Sequence, residues 1–171
     1  MSETKHKISY SPRGFLEKVV INAGVGKLSN QPNFEEKILP GILSDIATIT
    51  GQKAKINKAR KSIAGFKIRQ NQIVGLSVTL RRKKMVDFFE RLTKIVLPRV
   101  RDFVGIDLKS IDKNGILNIG LKEQYVFPEI NTDKSTLTFS LGINIVPKLK
   151  TRKMAEETYR ELGVPLKKVK K

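Results

Sequence analysis

Val74-Gly75-Leu76-Ser77-Val78-Thr79-Leu80-Arg81 alternates apolar and polar side chains over eight positions. A strand turns successive side chains to opposite faces, so Val74, Leu76, Val78 and Leu80 share one face and Gly75, Ser77, Thr79 and Arg81 the other. Such a strand belongs in an antiparallel sheet with one face on a core and the other open to water. Residues 16–22 repeat the pattern, with Val20 alternating against Val19 and Ile21. They end in the glycine-rich turn Asn22-Ala23-Gly24-Val25-Gly26. Residues 116–121 and 137–146 read as further strands, and residues 53–57 as a short one.

Between these strands the apolar spacing changes to that of helices. Phe34, Ile38, Ile42, Ile46 and Ile49, backed by Leu39 and Leu43, form one stripe that ends near Gly51. Asn33 is the expected N-cap, with Glu35 and Glu36 in the favourable first turn. Pro40 must kink this helix or mark its start. Met85, Phe88, Phe89, Leu92, Ile95 and Val96 form a second stripe, stopped by Pro98. Residues 151–162 form a last helix, with Gly163 and Pro165 as stop signals. Strands with one polar face, separated by single helices, predict an α+β fold with one sheet covered on one side. No internal repeat is visible. The expected organisation is a short polar extension over 1–13, a single domain over 14–166 and a basic tail over 167–171.

Charge narrows the function. The 171 residues carry a formal charge of +18, which opposes compaction unless a polyanion relieves it. From Asp45 to Asp87 there is no acidic residue, yet that span holds eleven cations: Lys53, Lys55, Lys58, Arg60, Lys61, Lys67, Arg69, Arg81, Arg82, Lys83 and Lys84. Glycines and the amides Gln52, Asn57, Gln70, Asn71 and Gln72 punctuate them. Lys and Arg displace condensed counterions while amides and backbone N–H groups fix register, so nucleic acid is preferred over a merely solvated face. No apolar run approaches the roughly 20 residues that span a bilayer, and no membrane partner is expected. With no cysteine and one histidine, His6, the chain has no thiolate chemistry, Cys-based zinc site or Ser-His-Asp arrangement. Residues 1–13 are too short and polar for a signal peptide, so a cytoplasmic location is expected.

Gly24-Val25-Gly26-Lys27-Leu28-Ser29 fails as a phosphate loop. Ile21 stands where the first glycine is needed, and Leu28 where Ser or Thr must hold magnesium. The carboxylates Asp102, Asp107, Asp112, Glu123, Glu129 and Asp133 show no spacing that pairs two over a pocket. Asp102, beside Arg99 and Arg101, is expected in a structural ion pair. No catalytic residue, cofactor or metal is expected. Arg60-Lys61-Ser62-Ile63-Ala64-Gly65-Phe66-Lys67-Ile68-Arg69 places four cations around an apolar centre. It reads as a basic loop that Ile63, Phe66 and Ile68 anchor to the core while the cations point outward.

Six ordered motifs carry a resemblance. They are residues 22–26, Thr50-Gly51-Gln52-Lys53, residues 59–69, Val78-Thr79-Leu80-Arg81, Pro98-Arg99-Val100-Arg101-Asp102-Phe103 and Phe127-Pro128-Glu129-Ile130. Over about residues 12–165 the chain resembles the ribosomal protein L5 family, in its bacterial-type form. The resemblance implies a single antiparallel-rich sheet with helices on its convex face. It also implies a non-enzymatic protein of the large subunit's central protuberance that binds 5S rRNA. Asn22, Gln52 and Thr79 match RNA-contacting positions, and Gly24, Gly26, Lys53 and Arg81 are grouped with them. The loop around residues 58–75, with Lys58, Arg60, Lys61, Ser62, Phe66, Lys67, Arg69 and Gln70, matches the segment that reaches P-site tRNA. Asp107, Lys109, Asp112 and Asn114 match the region facing a small-subunit head protein. Further implied partners are 23S-type rRNA and neighbouring central-protuberance proteins, on a cytoplasmic or organellar ribosome. A free-standing RNA chaperone is the alternative.

Departures from the family are also legible. Residues 1–13 cannot supply its longer N-terminal helix. Ala23 stands where methionine is common, Ala54 where proline is, Val104 where arginine is, and Arg82 where the strand commonly ends in glycine. The C-terminal lysines read as an added rRNA anchor in preference to a solvated tail.

Overall fold

The computed structural model describes residues 11–131, 137–149 and 151–167. His6, Asp133 and the tail residues 168–171, with most of the 1–13 extension, lie outside the described residues. The elements are α1 (Pro12–Phe15), β1 (Leu16–Gly24), α2 (Leu39–Thr50), β2 (Lys55–Lys58), β3 (Ile73–Leu80), α3 (Arg82–Arg91), α4 (Leu97–Arg99), β4 (Leu117–Leu121), β5 (Leu141–Pro147) and α5 (Arg152–Glu161). The five strands form one sheet in the order β2-β3-β1-β5-β4, and every neighbouring pair is antiparallel. The fold is α+β, as the sequence predicts.

Strand parity puts the aliphatic residues on one side. Val19, Ile21, Ala23, Leu76, Val78, Leu80, Leu117, Ile119, Leu121, Leu141, Ile143 and Ile145 are all buried in one core with the helices. Two bulges adjust the alternation. Between Asn57 and Lys58 the β2–β3 register shifts, leaving Val74 as the extra residue. An extra residue flips the face of everything beyond it, so Ile73 takes the core place expected of Val74. A second shift lies between Leu16 and Lys18 against β5.

The prolines are absorbed by wider turns rather than by breaks. A five-residue π-type turn, Phe34–Ile38, runs directly into α2, and another, Leu92–Val96, joins α3 to α4. Proline lacks the N–H and crowds the preceding turn, and a widened turn accommodates both defects. The inserted residue also rotates the stripe. Leu92, Thr93, Val96 and Leu97 face the core, while Ile95 is left exposed, contrary to its place in the sequence stripe. Asn33 is not the expected cap: its φ is 58° and its side chain caps nothing, because the chain enters the π-type turn from the left-handed region.

The strand predicted over 137–146 begins only at Leu141. Gln124, wholly buried, replaces the missing ladder. Its Nε2 donates to Leu137 O at 2.6 Å, and its Oε1 accepts from Phe139 N at 3.0 Å. A side-chain amide thus satisfies backbone groups that a strand would otherwise pair.

Tyr159 locks α5 to the sheet. Its ring meets Phe15 edge-on at 5.1 Å between centroids, and its hydroxyl lies 3.0 Å from Gly115 O and 3.1 Å from Ile145 O. Gly115 has φ +80°, and a Cβ there would stand 2.7 Å from Ala155 Cβ, so only glycine lets the helix approach this closely. Burial pushes the Tyr159 hydroxyl well above the usual phenol range. Tyr159→Phe, followed by urea unfolding, is expected to cost about 1–2 kcal/mol at neutral pH, the scale of a buried carbonyl left unpaired. The unfolded phenol ionises near pH ~10 while the folded one keeps its proton, so this contribution is full below that pH and declines above it. The gap between wild type and Tyr159→Phe should therefore narrow in alkali.

Candidate nucleic-acid interface

The sheet face opposite the helices has a composition of its own. Register aligns Lys55, Ser77, Asn22, Gly142 and Gly120 in one transverse row. Thr79, Val20, Asn144 and Asn118 form the next, and Asn57, Gly75 and Gly24 flank the first row on its other side. Only Lys55 in these rows is charged. Gly24 and Gly120 have ordinary extended backbones, and a Cβ at either would meet nothing within 4 Å. Strand glycine costs roughly 0.5–1 kcal/mol relative to alanine. Local packing does not require either glycine, and close approach by another backbone is the standard use of one in a strand.

Side-chain amides and hydroxyls stud this floor. Asn57 Nδ2 donates to Ser77 Oγ at 3.0 Å, and Asn22 Nδ2 to Asn144 Oδ1 at 3.0 Å. Asn144 Nδ2 in turn donates to Asn118 Oδ1 at 2.5 Å. Asn118 and Asn144 were not singled out from the sequence, although parity marks them: Asn118 lies between Leu117 and Ile119, and Asn144 between Ile143 and Ile145.

Of the residues expected to contact rRNA, Asn22, Gly24 and Thr79 share this open face. Levels two strand positions apart differ by about 6–7 Å, so Thr79 and Gly24 lie about 13 Å apart along the strands. Gln52, Lys53 and Arg81 gather at the Thr79 end, exposed, where Gly51 (φ +64°) turns the chain out of α2. Gly26 stands beyond the other end, its backbone oxygen accepting from Ser29 Oγ at 2.8 Å.

Cations rim the neutral floor. Among the described residues, none of the eleven between Asp45 and Asp87 pairs with a carboxylate; the four ion pairs lie elsewhere. One of the eleven is committed to the fold, since Lys84 Nζ donates to Gly51 O at 2.6 Å. Arg91 Nη2 does the same for Ile49 O at 2.6 Å. Together they cap the negative C-terminal end of α2. Asp102, expected in an ion pair, makes none among the described residues. It adopts φ 55° in an exposed turn that Asx residues tolerate well.

The basic loop between β2 and β3 is closed by polar contacts and not by its apolar residues. Phe66 is 75% exposed and Ile63 48%, so the expected apolar anchoring fails, and only Ile68 is half-buried. Ile63 and Ile68 instead exchange backbone hydrogen bonds of 2.9 and 3.2 Å. Gln72 Nε2 reaches Ser29 Oγ and Asn30 Oδ1, both at 2.8 Å, while Gln72 Oε1 accepts from Arg69 N. Ser62 Oγ accepts from Gln70 N. Arg60, Lys61, Lys67 and Arg69 are left exposed around a projecting aromatic ring.

The remaining group lies beside the opposite sheet edge. Asp107 Oδ1 accepts from Lys109 N at 2.9 Å, and Asp112 Oδ1 from Asn114 N and Ile116 N at 2.8 Å each. Both carboxylates shape their turns, leaving Lys109 and Asn114 as outward groups. The five strands separate this group from the basic loop by about 19 Å. Among the described residues no cluster suits a metal ion, and no helix is long and apolar enough to cross a membrane.

Arg82 carries φ 53°, a conformation that costs a non-glycine residue roughly 1–2 kcal/mol. Glycine would remove that cost and surrender part of it to the unfolded chain's greater freedom. Arg82→Gly should therefore raise stability by up to about 1 kcal/mol while weakening RNA binding. Thermal melting and filter binding on one preparation check both signs.

Two family models cover the chain: the Ribosomal protein L5 model matches residues 14–69, and the model of the same ribosomal family's C-terminus matches residues 73–166. The chain is 46% identical over 150 residues to the large ribosomal subunit protein uL5 of Geobacter sulfurreducens, covering 88% of this chain and 82% of that one. It is 44% identical to the uL5 of Halothermothrix orenii and 46% identical to the uL5c of Gracilaria tenuistipitata var. liui, with the same coverage. With its open amide face, its flanking cations and both halves matched, the chain belongs to the ribosomal protein L5 family.

Proposed function

We propose that this protein is a non-enzymatic, structural component of the large ribosomal subunit that holds 5S rRNA against the open face of its sheet. One observation carries the proposal: an open floor of asparagine, serine, threonine and glycine, flanked on its β2–β3 side by cations that no carboxylate neutralises among the described residues. Phosphate contacts position an RNA and supply salt-dependent affinity, whereas amides and hydroxyls meet riboses and base edges. The wide, shallow minor groove of A-form RNA suits such a flat, hydrogen-bonding surface. Asn22, Thr79, Gly24 and Gly26 are assigned to this contact, with Gln52, Lys53 and Arg81 at its basic end.

The loop carrying Lys58, Arg60, Lys61, Ser62, Phe66, Lys67, Arg69 and Gln70 is assigned to P-site tRNA. Its outward cations and exposed ring suit a phosphate backbone and a base face. The turn with Asp107, Lys109, Asp112 and Asn114 is assigned to the small-subunit head protein, through Lys109 and Asn114. The central protuberance, 23S-type rRNA and its protein neighbours complete the proposed setting, with residues 14–166 acting as one unit.

In purified form the protein should bind 5S rRNA one-to-one. If about six phosphates are neutralised, log affinity should fall against log salt with a slope of roughly −4 to −5. Neutralising Arg60, Lys61, Lys67 and Arg69 together should leave most of that affinity intact, because a Debye length of ~8 Å at ~0.15 M salt confines their reach. Ribosomes assembled with this variant should release P-site tRNA faster. Loss of 5S rRNA binding by the folded variant would assign the loop to the rRNA face, and equal affinity for any duplex RNA would favour an RNA chaperone.

A further inference from the structure

The asparagine chain on the open face has a direction, and its far end sets it. Asn118 Nδ2 lies 3.3 Å from Ser110 O and 3.5 Å from Ile116 O. Carbonyl oxygens only accept, so the nitrogen side of the Asn118 amide must face them. Asn118 Oδ1 is thereby turned to Asn144 and requires a donor, which is Asn144 Nδ2 at 2.5 Å. Asn144 Oδ1 is then the atom offered to Asn22, and Asn22 must donate Nδ2 to it, at 3.0 Å. At each step the reversed amide would set oxygen against oxygen or nitrogen against nitrogen. Among the described residues nothing donates to Asn22 Oδ1, which is left as an acceptor on an exposed side chain.

We infer that Asn118 and Asn144 are positioning residues that fix Asn22 as a hydrogen-bond acceptor, so that this face selects a donor in the RNA minor groove. The inference rests on the sheet-face contact proposed above and adds two strands, β5 and β4, to its working surface. Two groups in that groove donate: the ribose 2′-hydroxyl and the guanine N2 amino group. Phosphates have no proton to give and satisfy the rim cations instead. Specificity here comes from the polarity of one amide, because a freely rotating asparagine would meet donors and acceptors equally well. Glycines beside the chain, Gly142 and Gly120, leave room for the sugar edge to come within hydrogen-bond distance.

The test uses 5S rRNA pools carrying sparse 2′-deoxynucleotides in one arm and sparse inosine in the other, selected for binding to wild type, Asn22→Ala, Asn144→Leu, Asn144→Asp and Asn118→Leu. Wild type should reject at least one substituted position about tenfold, the upper range for one hydrogen bond. Asn22→Ala, Asn144→Leu and Asn118→Leu should lose that rejection at the same position, with the salt slope unchanged. Asn144→Asp should keep it, because its carboxylate still accepts from Asn22 Nδ2. The arm in which rejection appears identifies the donor as hydroxyl or amine. Asn118 is on an edge strand with an exposed side chain, so its variant folds even if Asn144→Leu does not. Rejection that survives in folded Asn118→Leu, or is absent from wild type in both arms, overturns the inference while leaving 5S rRNA binding in place. Failure of wild type to bind 5S rRNA at all overturns the proposed function itself.

Discussion

Antiparallel pairing of β1 with both β3 and β5 is the constraint on which the rest of the structure depends. It sets one parity across the sheet. Once Val19, Ile21 and Ala23 face the helices, Leu76, Val78, Ile143 and Ile145 must face them too. Asn22, Ser77, Thr79, Asn144 and Asn118 are then all delivered to the opposite side. A slip of one residue in either ladder would bury the amides and expose the aliphatics, at a cost of about 1.5–3 kcal/mol for each large side chain turned to water. Core formation and formation of the open polar face are therefore one event.

The charge distribution completes that division. A formal charge of +18 works against compaction. The fold recruits a few cations for its own ends: Lys84 and Arg91 cap α2, and Arg91 also pairs with Glu129 at 2.8 Å. The rest of the run from Lys53 to Lys83 is left without carboxylate partners among the described residues. The positive φ of Lys67 and of Arg82, two members of the run, adds local backbone strain to this electrostatic cost. An RNA partner that supplies phosphates would relieve the repulsion.

Much of this was legible in the residue order. Strand parity in residues 74–81, the stripe from Phe34 to Ile49 and the absence of acids between Asp45 and Asp87 each report a physical requirement that acts locally. What stayed hidden depends on geometry that period alone does not encode. A bulge moved Val74 out of the core, and a π-type turn exposed Ile95. Gln124 replaced a stretch of ladder from a distance of more than ten residues. The basic loop looked anchored by Ile63 and Phe66 because apolar residues usually bury, yet its closure is polar and runs through Gln72. A motif marked Asn22 as a candidate RNA contact, whereas Asn144 and Asn118, hydrogen-bonded in series to it, come from strands more than ninety residues away in sequence and needed the register to be seen.

The central claim is that RNA lies directly on the open sheet face, and Gly24→Val tests it most directly. Gly24 is exposed in β1, its backbone is extended, and a Cβ there meets nothing within 4 Å. Valine favours strands, so the variant should melt no lower than wild type. Its branched side chain would nonetheless stand between the sheet and any backbone resting on it. The account predicts a loss of 5S rRNA affinity of at least about tenfold, or ~1.4 kcal/mol, at unchanged stability. Wild-type affinity in a folded Gly24→Val protein would contradict it, and would move the RNA from the face of the sheet to its basic rim.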